Sequence, residues 1–124
     1  MRAPLLSVLL GGCGLFSPDI TGTWEGSCAL DDRSEYRIDI ELEDDAGEID
    51  GEGTISTDYG GTPVRLEVVV DGDRDGRQID LEMFAQEAGG QIVSLDVEAD
   101  LERGVIDGGC SFLAVQGDLT LEPG

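Results

Sequence analysis

The chain has 124 residues, which argues for a single domain. Its 28 acidic residues stand against 7 arginines, with no lysine and no histidine, for a formal charge of −21. Such a surface repels nucleic acid and anionic lipid headgroups, and the missing histidine and lysine remove the ordinary bases for a serine, threonine or cysteine nucleophile; the expectation is a protein that is not an enzyme and binds no nucleic acid.

The N-terminal stretch reads as an export segment. Arg2 precedes the apolar run Leu5, Leu6, Val8, Leu9 and Leu10, and Gly11 and Gly12 are the small residues at which a signal peptidase cuts. The apolar run is shorter than the roughly 20 residues a spanning helix needs, and it carries Pro4 and glycines. Leu10-Gly11-Gly12-Cys13 resembles the lipobox of bacterial lipoproteins. That resemblance implies cleavage after Gly12, diacylglycerol on the Cys13 thiol and acylation of the new amino group. Residues 1–12 are then a cleaved signal peptide, 13–18 the lipidated cysteine and a short linker, and 19–124 the mature domain. At about 0.8 kcal/mol per buried CH₂, two or three acyl chains make the anchor effectively permanent. Gly14 replaces the aspartate that retains some lipoproteins at the inner membrane, which points to the outer membrane of the cell envelope.

Lipidation of Cys13 leaves Cys28 and Cys110 as an even pair in an oxidising compartment, so a disulfide between them is expected.

Beyond the linker, apolar residues recur with a period of two. The first strand covers Gly22–Leu30. Tyr36, Ile38, Ile40 and Leu42 then alternate with Arg37, Asp39, Glu41 and Glu43. A strand over Glu48–Ser56 follows, then Val64, Leu66, Val68 and Val70 alternating with Arg65, Glu67 and Val69. Ile79, Leu81 and Met83 alternate with Asp80 and Glu82, and Val93, Leu95, Val97, Ala99 and Leu101 with Ser94, Asp96, Glu98, Asp100 and Glu102. Strands over Val105–Val115 and Asp118–Leu121 complete a set of about eight. Asp45-Ala46-Gly47, Tyr59-Gly60-Gly61, Asp75-Gly76, Gly89-Gly90 and Arg103-Gly104 supply turns between them. One face of this sheet is apolar and the other acidic. Connections this short favour an antiparallel meander, and an eight-stranded meander removes its edges by closing into a barrel. A β-sandwich built from the same strands is the alternative.

Asp19-Ile20-Thr21-Gly22-Thr23-Trp24 resembles the opening strand of the calycin group, the avidin- and lipocalin-type barrels, where Gly-x-Trp begins the barrel. Ala46 to Gly53 resembles the glycine-spaced strand after the first hairpin of avidin-like barrels. The resemblance implies a small all-β barrel with Trp24 packing one end. It does not imply biotin binding, which needs several further tryptophans.

Two binding chemistries emerge. Asp71-Gly72-Asp73-Arg74-Asp75-Gly76, with Glu82 at the twelfth position, has the ligand spacing of an EF-hand calcium loop. Its flanks read as strands, and the same residues equally suit a plain hairpin turn. The interior of so small a barrel is often just filled by side chains, with Gly51, Gly53 and Gly108 at inward positions the places where room for a small apolar ligand could arise. The function expected is therefore a lipid-anchored envelope module, binding an unknown protein or small apolar ligand or serving structurally; a calcium-dependent module using Asp71, Asp73, Asp75 and Glu82 is the alternative.

Overall fold

The period-two pattern folds into eight strands: β1 (Gly22–Leu30), β2 (Glu35–Asp45), β3 (Glu48–Tyr59), β4 (Thr62–Asp75), β5 (Gln78–Gln86), β6 (Ile92–Glu102), β7 (Val105–Phe112) and β8 (Val115–Pro123). These come from a computed structural model that describes residues 19–124 apart from 32, 60 and 87–91. The export segment, Cys13 and the linker lie outside the described residues. Each strand pairs antiparallel with the next, and β1 pairs with β8, so the meander closes into one barrel. The closed ladder excludes the sandwich and leaves no sheet edge open to another chain.

Alternation decides which side chains enter the lumen. Along β2, Tyr36, Ile38, Ile40 and Leu42 are buried while Arg37, Asp39, Glu41 and Glu43 are exposed. The inward residues of all eight strands form one apolar cluster, and the largest of them, Ile38, Ile40, Leu42, Ile49, Ile79, Met83, Ile106, Leu119 and Leu121, are each less than 2 % exposed. Each such side chain stabilises the fold by roughly 1.5–3 kcal/mol.

The inward glycines belong to this packing, which favours the filled barrel over the hollow one. A Cβ on Gly53 would land on the carbonyl oxygen of Asp39 and crowd Ile40, and one on Gly26 would land on the carbonyl of Thr120. Neighbouring backbone occupies the space, because a small barrel must coil its strands tightly to close.

The disulfide forms as expected. Cys28 on β1 and Cys110 on β7 are bonded, with Cα atoms 6.2 Å apart. Since β8 lies between those strands, the bond ties second neighbours together across the seam where the barrel closes.

Several strand boundaries differ from the sequence reading, β3 running on to Tyr59 and β8 to Pro123, and two of the differences fall at turns. First, β4 runs on to Asp75 and turns tightly at Gly76-Arg77, with φ of 62° at Gly76. Second, the stretch read as one strand to Val115 breaks at Leu113-Ala114, a two-residue turn in which both φ angles are positive, 51° and 67°. Hairpin turns of this kind normally announce themselves with Asn-Gly or Asp-Gly.

Candidate functional site

The proposed calcium ligands lie on the β4–β5 hairpin, and the hairpin is not a loop. Strand alternation sends Asp71, Asp73 and Asp75 outward at intervals of about 7 Å along β4. Across the ladder Asp71 faces Glu82, Asp73 faces Asp80 and Asp75 faces Gln78. The four residues of the motif are thus drawn out along two strands instead of converging on a point. Among the described residues, no group of three or more carboxylates or cysteines is arranged to hold a metal ion. Pairing wins over the loop because Gly76-Arg77 alone suffices to reverse the chain.

These residues belong instead to a larger pattern. Glu43, Asp50, Asp71, Glu82 and Asp96 stand directly opposite one another in a row across β2 to β6. Asp45, Glu48, Asp73, Asp80 and Glu98 form a second row beside it. All are exposed. An open depression of about 750 Å³ runs from this grid past Ser111 to Gln116 on the outer wall. The wall is built against Coulomb's law, since like charges directly opposite on a sheet are destabilising.

The outer wall changes character one row toward the other end of the barrel. There Glu41, Glu52, Val69 and Phe84 stand opposite one another in turn. Val69 is 62 % exposed, an isolated large apolar residue on this wall, and Phe84 is half-buried beside it. The next outward row holds Asp39, Thr54 and Glu67. Between the two rows lies an open groove of about 950 Å³ whose floor is the strand backbone around Gly53 and Val68.

One charged pair occupies inward positions. Asp44 follows Leu42 on β2, and Arg74 follows Val70 and Gly72 on β4; their side chains are 1 % and 8 % exposed. Arg74 Nε donates to Asp44 Oδ2 at 2.6 Å. The backbone N–H groups of Ile20 and Gly47 donate to the same carboxylate at 3.1 Å and 2.9 Å. The Thr21 hydroxyl oxygen accepts from Asp44 N–H, and Arg74 N–H donates to the Gly47 carbonyl. Burial by itself raises the Asp44 pKa, but the hydrogen bonds from Arg74, Ile20 and Gly47, with the Arg74 charge, outweigh it and leave the pKa lowered. Asp44 is therefore a clamp that ties residues 20 and 21, the β2–β3 turn and β4 into one barrel end. Beside it Trp24 is buried and donates its indole N–H to the Ile20 carbonyl at 2.8 Å. The signal in the sequence for this pair is register: Asp44 continues the inward series of Leu42, and Arg74 that of Val70, each beside a turn where a polar residue is ordinary.

The opposite end carries Tyr36 stacked obliquely on Phe112, with ring centroids 5.1 Å apart, and Leu113, which is 76 % exposed at its turn. No protein-family model, curated protein or solved structure matches this chain.

Proposed function

We propose that this protein is a non-enzymatic binding module, held at the cell envelope by lipid on Cys13, that meets its partner through the outer wall of the barrel. The observation that carries this reading is the filling of the lumen. Inward side chains and neighbouring backbone occupy the space a small apolar ligand would need, which leaves the exterior as the recognition surface. The relief of that exterior, with acidic rows beside an apolar groove, is the kind of surface that sorts partners by charge. The closed meander and the Trp24 end-plug support kinship with the calycin barrels.

The lipobox-like Leu10-Gly11-Gly12-Cys13 supports the anchor, and Gly14 favours the outer membrane. Metabolic labelling with a fatty acid tests it. Wild-type protein takes the label and fractionates with membranes, whereas Cys13→Ala takes none and accumulates as an uncleaved precursor. An unlabelled wild type overturns the anchor.

A further inference from the structure

We infer that the groove between the Val69 and Glu67 rows is a docking surface for a basic protein segment that carries an apolar anchor residue. This rests on the reading of the domain as a binding module and not on its lipid anchor. The groove pairs an exposed aliphatic side chain with an aromatic one: Val69 and Phe84 face each other across β4 and β5. A valine that leaves 62 % of its surface in water costs the free protein apolar exposure that a covering partner removes.

Charge selects that partner. Glu41 and Glu52 continue the Val69–Phe84 row, and Asp39 and Glu67 form the facing wall. A second copy of this chain would bring the same carboxylates against them, so self-association through this face is disfavoured. Anionic headgroups are repelled for the same reason. The closed ladder offers no edge, so a partner cannot add a strand and must engage side chains. What fits is an aliphatic or aromatic side chain seated on Val69 and Phe84, with lysines or arginines reaching Glu41 and Glu52. Arg37 and Arg65, which both face Ser56 one row beyond Asp39 and Glu67, bound the basic stretch on that side.

The test uses the full chain in nonionic detergent micelles and fluorescence anisotropy of labelled 12-residue synthetic peptides, with empty micelles as the blank. Three peptides alternate Lys with Leu, Lys with Ser, and Glu with Leu. The Lys-Leu peptide is expected to bind at least tenfold tighter than Lys-Ser, and Glu-Leu to show no binding. Val69→Ser and Phe84→Ser should each weaken Lys-Leu binding at least fivefold with no effect on Lys-Ser. Glu52→Gln should weaken both lysine peptides and flatten their salt dependence, while Asp80→Asn, on the acidic grid, changes the Lys-Leu to Lys-Ser ratio less than twofold. Circular dichroism melts confirm that each variant is folded; Val69→Thr replaces any that is not. Equal affinity for Lys-Leu and Lys-Ser, or indifference to Val69→Ser and Phe84→Ser, overturns the groove. Failure of all three peptides to bind overturns the outer-wall reading of the module as well.

Discussion

Neutralising one carboxylate at the centre of the acidic grid should stabilise the protein. Asp71 has Asp50 directly opposite on β3 and Glu82 directly opposite on β5. Opposed Cβ atoms lie about 5 Å apart and exposed carboxylates splay outward, so a charge separation of about 6.5 Å is reasonable. Each pair then repels by about 0.6 kcal/mol in water, or about 1.3 kcal/mol for the two. Screening reduces the sum to about 1 kcal/mol at 20 mM salt and about 0.3 kcal/mol at 0.5 M. For a domain of this size, 1 kcal/mol moves the melting temperature by about 4–5 °C. Asp71→Asn should accordingly raise Tm by about 4–5 °C at 20 mM NaCl and by only about 1–2 °C at 0.5 M, and wild-type Tm should itself climb with salt. The control is Asp118→Asn, because Asp118 faces Ala29 and Gly109 and opposes no charge. Differential scanning calorimetry across the salt series reads both variants. Equal shifts for the two would mean that net charge, and not the ladder register, sets the effect. A lower Tm for Asp71→Asn would mean that Asp71 makes a favourable contact, and the repulsion argument would be refuted.

Five further expectations follow from the packing. Asp44→Ala leaves the Arg74 guanidinium buried without its partner and should cost about 3 kcal/mol in urea denaturation; a cost under about 1 kcal/mol would mean water replaces the carboxylate. Because folding lowers the Asp44 pKa, its stabilising contribution is present above the ordinary carboxylate range and is lost as pH falls through the lowered value, so the gap between wild type and Asp44→Asn should close on acidification in the same assay. Reducing the Cys28–Cys110 bond, with a sequence separation of 82, should cost about 4.5 kcal/mol in the chain-entropy picture, read as a shift in urea midpoint; an unmoved midpoint would show that the seam holds without the bond. Replacing Leu113-Ala114 by Asn-Gly relieves two positive-φ residues and should raise stability by about 1–2 kcal/mol, while calcium titration by calorimetry should give no saturable single-site heat at the β4–β5 hairpin.

The fold was legible because one physical signal, the alternation of apolar and acidic residues, runs through nearly every strand. Tyr36 to Glu43 and Leu95 to Glu102 name their inward and outward faces without ambiguity, and Gly47 and Gly104 mark the hairpins at Asp45-Ala46-Gly47 and Arg103-Gly104 with the one residue that adopts positive φ without strain. The β7–β8 turn escaped because Leu113 and Ala114 carry no such mark; tertiary closure of the barrel forces a conformation their chemistry does not request. The Asp71 motif reads two ways for a related reason. Carboxylates at alternate positions are the signature of a calcium loop and also of the outer face of a strand, and only the partner strand distinguishes the two. Val69 was legible as an apolar residue at an outward position. What it faces, Phe84 and the glutamates of β2 and β3, depends on register, which a sequence states only once the hairpins are fixed.

The same register explains how so charged a wall persists. The two rows hold eight directly opposed carboxylate pairs, from Glu43–Asp50 to Glu82–Asp96 and from Asp45–Glu48 to Asp80–Glu98. At about 0.3 kcal/mol each under physiological screening, they oppose folding by roughly 2–3 kcal/mol. The disulfide offsets a term of that size by itself. It does so from the lumen, at the β1–β8–β7 seam, where neither acidic row continues as an unbroken run of carboxylates. Stability thus comes from the filled interior and the cross-link, while the exterior carries its charge at the expense of the fold. Most soluble domains mix the signs of their surface charges. The in-register carboxylates, with an exposed valine one row away from them, are the features on which the proposed binding role of the outer wall rests.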